Sequence, residues 1–509
     1  MVSKVEVRKG LYYDSVKLML VSKAITEVAG VEKASVVMGT DLNKENLSRQ
    51  AMDSEESRKA GPSDLIISIQ ADSESSLEKA LLAMDEQMAL RSSSDDGRRY
   101  NPRSWEAALK EQPNSNVAVV SVPGAYAAEV ADEALDRGLH VMLFSDNVSY
   151  EEERRLKEKA LDKDLLVMGP DCGTAVINGV PLCFSNVVQR GPVGIVSASG
   201  TGSQEVMCLL DDYGVGVSQV IGTGGRDMKE QIGGITFMQA LKALSSDEGT
   251  KVIVLVSKPP APSVAQRVLE FVSHEVDKPV VVDFIGADQI EGLPPHVYQV
   301  DTLEGVARMA AALAKGDNDA QSVEDDTALP KQANIGTGSR PEGVLRAFYA
   351  GGTLAYESAL LLAEKGVATR CNLLSDGQVD PLDTGHHVIV DFGDDEYTRG
   401  RAHPMIDPSL RDEAFAEALN DEKTAVVVLD MVLGYGAHEQ PHKEVIARYK
   451  MANRSIPVVV HVVGTQGDPQ GRAKVVRELE EAGMVVMPSN RAAIESAYAL
   501  LERKEELSE

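Results

Sequence analysis

The chain has 509 residues and a formal net charge of −28, from 79 acidic and 51 basic side chains. That length implies three or four domains with room for buried cores, and so acidic a surface repels phosphate backbones, which excludes general nucleic-acid binding. Aromatic residues are only 4% of the chain, too few for base-stacking platforms.

The four cysteines, Cys172, Cys183, Cys208 and Cys371, show no C-x-x-C spacing, which argues against a disulfide frame or a zinc site. No run approaches a membrane span, and the opening MVSKVEVRKG lacks a signal-peptide core. A soluble cytoplasmic protein is expected.

Residues 1–95 read as a small α/β domain. VEVRKG, ASVVMGT and DLIISIQA have strand patterns, and YDSVKLMLVSKAI and SLEKALLAMDEQMAL have helical ones. Arg8, Lys9 and Gly10 end the first strand, a common ligand position in open sheets, but no G-x-G-x-x-G follows and a polar turn is the plainer reading. RSSSDDGRRYNPRS at 91–104 reads as a polar linker.

Residues 105–188 alternate apolar strands with helices, the pattern of a parallel sheet. The loops SVPG, FSDN and MGPDCG follow strands, so Asp171, Cys172 and Gly173 form a candidate substrate loop. Cys172 has no histidine near it in sequence, and a small buried cysteine is the more common outcome than a nucleophile.

Residues 190–315 open on VGIVSASGTGSQEV at 193–206, a buried strand, a small-residue turn and a helix start. Such a turn lets backbone N–H groups converge on an anion, which makes Ser199, Gly200, Thr201 and Gly202 candidate phosphate ligands. Thr201 and Gln204 have capping-box spacing. Arg226 and Asp227 follow the next strand, Asp227 joining the candidate substrate-loop residues, and Lys258 follows VIVLVS. Arg226 and Lys258 are cations at strand ends, where an anionic substrate would be held.

Residues 316–340, with few apolar side chains and many acids, read as a linker. Residues 341–500 repeat the preceding unit. A shift of 152 aligns Ala198, Gly200, Thr201 and Glu205 with Ala350, Gly352, Thr353 and Glu357, and PVVVDFIG at 279–286 matches PVVVHVVG at 457–464. Gly351, Gly352 and Thr353 thereby join the candidate phosphate ligands, and two helix N-termini could face one anion. An insertion at 388–415 carries Asp391, Asp394, Asp395 and Glu396, which have no fixed metal-loop spacing, so no metal is assigned. It also carries His403, which sits beside prolines that fix its backbone and is a candidate site histidine.

GPDCGTAVING, GIVSASGTGSQE, IGTGGRDM, VSKPPAP, GGTLAYES, DFGDDEYTRGRAHPMIDP and DMVLGYGAHE together resemble the FdrA family of acyl-CoA synthetase-like proteins. More distantly, residues 105–315 resemble the α subunit of succinyl-CoA synthetase, and 341–500 the CoA-ligase domain of its β subunit. The resemblance implies an α/β fold with a Rossmann-like CoA-binding-type domain at 105–188 and two flavodoxin-like ligase domains with parallel sheets. It also implies CoA as a cofactor, phosphate or an acyl phosphate as substrate, and an oligomer with possible partner subunits of the same pathway. The synthetase's phosphorylated histidine belongs to a loop that here reads ADQIEGLPPHVYQV, with only His296 near, and Lys258 stands where its orienting carboxylate belongs. Conventional phosphohistidine chemistry is therefore not expected.

Three readings compete. One is a ligase-like enzyme handling an acyl phosphate or CoA thioester of a small carboxylate, with Arg226, Lys258 and His403 as its reactive-site side chains. Another is a component of an oxamate carbamoyltransferase, converting oxalurate and phosphate to oxamate and carbamoyl phosphate in allantoin breakdown, as the resemblance implies for some relatives. The last is a non-catalytic subunit that binds a small anionic metabolite.

Overall fold

A computed structural model describes residues 2–502 other than 12, 14, 27, 62–63, 90–101, 103, 318–342, 375–378, 384 and 399–400. The linkers expected at 91–104 and 316–340 lie, but for a few end residues, outside the described residues. The chain divides into two compact units, one of residues 1–114 and 395–402, the other of 115–394 and 403–509.

The first unit contains β1 (Val2–Arg8), α1 (Ser15–Thr26), β2 (Val31–Met38), α2 (Asp41–Arg49), α3 (Glu55–Arg58), β3 (Leu65–Ala71), α4 (Glu74–Ala89) and α5 (Trp105–Glu111). Its sheet has the order β1-β3-β2 and is antiparallel throughout. The apolar run LIISIQA takes the centre, and Ile67 and Ile69 pack with Leu18, Ile25 and Met84 of the helices. Arg8 is paired with Glu6 at 2.8 Å and Asp85 at 3.2 Å, and the Gly10 N–H donates to Asp64, which supports the plain reading of that turn.

The second unit begins with β4 (Val117–Val120), α6 (Gly124–Asp136), β5 (His140–Leu143), α7 (Tyr150–Asp162) and β6 (Val167–Met168), whose strands form a parallel sheet in the order β4-β5-β6. Next come β7 (Thr174–Ile177), β8 (Val180–Cys183), β9 (Arg190–Ser197), α8 (Gly200–Asp212), β10 (Val217–Gly222), α9 (Ile235–Ser246), β11 (Val252–Ser257), α10 (Pro262–Glu275), β12 (Val280–Phe284), β13 (Val297–Gln299) and α11 (Leu303–Ala314). The repeat follows: β14 (Val344–Tyr349), α12 (Gly352–Glu364), β15 (Thr369–Cys371), β16 (His387–Asp391), the short α13 (Asp395–Thr398) of the first unit, α14 (Ser409–Asn420), β17 (Thr424–Val432), α15 (Pro441–Met451), β18 (Val458–Val463), α16 (Arg472–Glu481), β19 (Val485–Met487) and α17 (Asn490–Glu502).

The two larger sheets share one order. Parallel strands run β10-β9-β11-β12-β13 in one and β16-β14-β17-β18-β19 in the other. The equivalence is residue by residue: Ser197 pairs with Gly222 as Tyr349 pairs with Asp391, and the Thr223 N–H bonds Ser197 O as the Phe392 N–H bonds Tyr349 O. An antiparallel hairpin, β7–β8, extends the first sheet beyond β10, and the parallel β15 extends the second beyond β16.

Helices α8 and α12 lie between the sheets in one apolar core, which joins Val206, Met207 and Leu210 to Leu354, Ala355 and Leu362. Every residue of α8 from Thr201 to Leu210 is buried, so this helix is enclosed on all sides rather than amphipathic. Each helix is also held by the other copy. Glu205 accepts the N–H of Asn490, at the start of α17, and Glu357 accepts the N–H of Leu303, at the start of α11. A carboxylate at a helix N-terminus satisfies donors that have no intrahelical partner.

Candidate functional site

The two glycine turns meet. Ser199 Oγ lies 2.6 Å from Thr353 Oγ1, and the Thr353 N–H donates to Thr201 Oγ1 at 3.3 Å. Ser199 is the cap of α8, accepting the Gly202 N–H at 3.0 Å. The expected Thr201–Gln204 capping box is not formed: the Thr201 hydroxyl is taken by the partner helix, and Gln204 Nε2 donates to Asn186 instead. Glycine is needed at Gly351, where a Cβ would come within 2.9 Å of Thr201 Cγ2 and 3.1 Å of Asp430 Oδ2. With that contact made, the N–H groups of Gly200, Thr201, Gly352 and Leu354 carry no hydrogen bond among the described residues. All seven residues expected to hold phosphate thus stand at one place.

Chemistry-bearing side chains gather on the α12 side. Asp430, on β17, accepts the N–H groups of Ala350 and Gly351 at 2.8 Å each, and Arg411 lies 3.6 Å from its carboxylate. Asp391, at the end of β16, is buried, its Oδ1 accepts the Gly393 N–H, and its Oδ2 would lie 2.4 Å from a Cβ on Gly352. Burial pushes the Asp391 carboxyl up to about 7, against the Lys258 ammonium, which favours ionisation. Lys258 is half-buried, with its Nζ 5.8 Å from the centre of the Tyr356 ring and no ion pair among the described residues.

His403 joins this group. Its Nε2, Asp391 Oδ1 and Ala350 O all lie within 3.0 Å of the point where Gly393 lacks a Cβ. Burial pushes the imidazole down to about 4, so it is neutral near pH 7. Its Nδ1 accepts the Met405 N–H at 3.2 Å, which leaves the proton on Nε2. His403 can therefore donate a hydrogen bond here but is not set up as a base. Its ring also packs on Phe184, centroids 5.7 Å apart.

The other residues singled out by sequence take different places. The loop Asp171–Gly173 leads into Thr174, whose Oγ1 would lie 3.6 Å from a Cβ on Gly200, so it flanks the α8 start. Cys172 is buried and its thiol is pushed up to about 12, mainly by that burial, so it is not a thiolate. Arg226 pairs with Glu153 at 2.9 Å, donates to Val148 O and lies over the Tyr150 ring, on the α7 side. Asp227 is buried in an ion pair with Lys157 and accepts the N–H groups of Thr236 and Phe237, a bracing role. His296 lies at the far edge of its sheet, where its carbonyl accepts the N–H of Val280, the first residue of β12.

Two groups were not singled out by sequence reasoning: Asp430 and the buried pair of His461 with Glu205, 2.6 Å apart. The Asp430 signal was present, since it interrupts the apolar run of VVVLDMV where the other copy has Val256 in VIVLVSK, and it lies in the DMVLGYGAHE run.

Comparison with known proteins places this geometry. Residues 188–286 match the family described as CoA binding domain, 348–500 the CoA-ligase family, and 1–103 the family described as AllF, heavy metal-associated domain. The uncharacterized protein YahF of Escherichia coli K12 is 38% identical over 501 residues, 96% of each chain.

The chain belongs to the family of YahF.

The alpha 1 subunit of an ADP-forming succinate–CoA ligase from Archaeoglobus fulgidus is 30% identical over 185 residues, 36% of this chain and 61% of that subunit. Among solved structures, the apo dinucleotide-forming acetyl-coenzyme A synthetase 1 of Ca. Korarchaeum cryptofilum aligns over 76% of this chain and 82% of its own, at 18% identity and a TM-score of 0.31. The CoA-binding and CoA-ligase matches mark this YahF relative as acyl-CoA synthetase-like, of the acid–thiol ligase kind. No helix of the described residues is long and apolar enough to cross a membrane.

One group implied by the matches is tested by the residues present. Residues 1–103 contain neither cysteine nor histidine, which does not fit a site for soft heavy metals. A cleft of about 580 Å³ lies between the starts of α6 and α7, the ligand position of an open sheet. It is lined by Glu129, Asp132, Glu133 and Glu152 against the one cation Arg155. That acidic lining lies outside residues 188–286, which match the CoA binding domain, so it does not bear on CoA, which the CoA-binding and CoA-ligase matches support.

Proposed function

We propose that the second unit transfers a small activated acyl group, held as an acyl phosphate where the N-termini of α8 and α12 meet, with no phosphohistidine. The observation that carries this is the Ser199–Thr353 contact at 2.6 Å, which turns two helix starts with free N–H groups towards one place. Each helix start carries about half a positive charge, and oriented N–H groups in a site poor in water stabilise phosphate without reorganising. Lys258 adds a full charge. The His403 Nε2–H is a donor for an acyl oxygen on which charge develops. In the transfer, the bond from acyl carbon to phosphate oxygen breaks and the nucleophile bonds to that carbon. The nucleophile's proton leaves with phosphate as hydrogen phosphate.

The nucleophile class divides two readings. A thiol gives the CoA ligase-like reaction, which the CoA-ligase and CoA-binding matches support. An amide nitrogen gives a carbamoyltransferase component, the reading that goes with the FdrA resemblance. His403, a neutral donor beside the helix starts, serves either reading. Under either reading CoA or a carbamoyl acceptor, phosphate, and partner subunits of the same pathway are the expected ligands and companions, in an oligomer.

The test is phosphorolysis of oxalurate, and separately acyl-phosphate-dependent thioester formation, with and without products of neighbouring genes. Acyl or carbamoyl transfer with no acid-labile, base-stable label on the protein is expected. A stoichiometric label on a histidine refutes the mechanism.

A further inference from the structure

The Lys258 side chain is half-buried, yet it forms no ion pair and no hydrogen bond among the described residues. Its ammonium lies instead 5.8 Å from the centre of the Tyr356 ring. A carboxylate is near enough to be felt, since Lys258 favours ionisation of Asp391 at the end of β16. The flexible four-carbon stem of a lysine would let its ammonium swing to such a partner. Something must therefore hold it off, and the ring is placed to do so.

Cation and ring come from different copies of the repeated unit. Lys258 follows β11 of the first, and Tyr356 stands about one turn after Gly352 in α12 of the second. Side chains one turn apart share a helix face and lean towards the N-terminus, so the Tyr356 ring covers the α12 start. Its hydroxyl lies 3.3 Å from the point where Gly286 lacks a Cβ, which lodges the phenol against the loop after β12. The mirrored contact does not exist. Under the alignment of the two copies Lys258 corresponds to Val432 and Tyr356 to Gln204, whose amide is bonded to Asn186. Both members of the pair are present at one crossing of the copies, and both are replaced at the other.

We propose that Tyr356 is a positioning residue whose ring face holds the Lys258 ammonium at the start of α12, charged and unpaired, where it meets the phosphate. The inference rests on the reading that the paired helix starts hold phosphate. An aromatic face attracts a cation within about 6 Å through the ring quadrupole. It carries no net charge, so it fixes the ammonium without neutralising it as a carboxylate would. Burial pushes the phenol up from its ordinary value, which keeps the ring neutral. A lysine paired with a carboxylate has to break that pair before it meets an anion, and one resting on a ring is ready beforehand.

The test is calorimetric titration of the full chain with sodium phosphate at constant ionic strength. Lys258→Met should weaken binding about tenfold or more. Tyr356→Leu should weaken it about three- to tenfold, whereas Tyr356→Phe, which keeps the face and drops the hydroxyl, should stay within about twofold of the parent. Tyr356→Gln, copying Gln204, is the second variant should leucine fail to fold, and it should lose as much. In the Lys258→Met background Tyr356→Leu should change binding by less than about twofold, because no cation is left for the ring to hold. Failure of the parent to bind phosphate overturns the paired-helix site, and the inference with it. Binding that Gly200→Val abolishes but Tyr356→Leu leaves intact overturns the role of Tyr356 and leaves that site standing. An equal loss in Tyr356→Phe, or a Tyr356→Leu loss that persists without Lys258, would come from the hydroxyl or from packing and overturns it likewise, as does a Lys258→Met protein that binds like the parent.

Discussion

The two copies of the repeated unit share a strand order and the position of a helix start, and differ in what they place around it. In the first copy the strand ends beside α8 carry Gly222 and Val256. In the second the same positions carry Asp391 and Asp430. One strand further out, Asp283 of β12 stands where β18 has His461. Duplication supplied the geometry, two N-termini meeting at Ser199 and Thr353, and divergence of a few strand-end residues supplied the chemistry. The first copy brings Ser199, Thr201 and Lys258 to that place, and the second brings Asp391, Asp430 and His403.

The widest gap between the copies is expected at the Asp283/His461 pair of positions. His461 Nδ1 donates to Met487 O at 3.1 Å and its Nε2 lies 2.6 Å from Glu205 Oε2, a contact that favours the protonated ring. Its pKa is accordingly raised, although burial alone would lower it. His461→Ala leaves Glu205 buried without its counter-charge and should cost about 3–5 kcal/mol in chemical denaturation. Asp283 has no such partner: its Oδ2 is buried and unbonded, and burial, reinforced by Glu357, pushes the carboxyl well up. Asp283→Ala should change stability by about 1 kcal/mol or less, since removing an unsatisfied polar group offsets the lost packing. Equal costs at the two positions would remove the asymmetry.

The glycines sharpen the comparison at a smaller scale. A Cβ on Gly351 meets Thr201 Cγ2 at 2.9 Å, while one on Gly200 meets only Thr174 Oγ1 at 3.6 Å. Gly351→Val should therefore cost about 1–3 kcal/mol through overpacking and separate the helix starts. Gly200→Val should cost less than about 1 kcal/mol, yet still obstruct the free N–H groups and weaken phosphate binding. Thermal melts and phosphate titration of both variants separate packing from binding. A Gly200→Val protein that binds phosphate like the parent would place the anion elsewhere.

Much of this was legible in the chain, for physical reasons that also set the limit. Strand-to-helix turns of small residues are local signals, so Ser199–Gly202 and Gly351–Thr353 could be read directly, and the 152-residue shift showed that they belong to equivalent units. That their hydroxyls touch is a tertiary fact, set by packing of α8 on α12. Lys258 and His403 were legible as strand-end and insertion residues, but the tautomer of His403 depends on the Met405 N–H folding back on it. Arg226 looked equivalent to Lys258, both being cations after a strand. It differs because Glu153, a buried residue of α7, takes its charge. The antiparallel N-terminal sheet was not legible, since alternation of strand and helix patterns does not fix strand direction.

The smallest effect concerns Glu357, counterpart of Glu205 under the same shift. Glu205 has the His461 ring against it, whereas Glu357 has the Leu303 N–H at 2.8 Å and the Asn490 amide at 2.7 Å, and no cation paired with it among the described residues. Burial pushes Glu357 up to about 7, and those two hydrogen bonds only partly oppose it. In the unfolded chain the same carboxyl titrates at about 4.3. Between those values the folded state holds a proton that the unfolded state has released, so stability falls as pH rises through that window, and the contribution is fully present only below it. Glu357→Gln removes the titrating proton and keeps a carbonyl for Leu303 and an amide that can turn. The variant should thus gain on the parent by on the order of 1–2 kcal/mol between about pH 4 and pH 8. Other groups, such as His403 with its lowered pKa, titrate alike in both proteins and cancel in the difference. Paired denaturation curves across that range measure it. A difference that stays flat with pH would mean that Glu357 is ionised in the folded protein, balanced like its counterpart, and that the copies are electrostatically alike at this position.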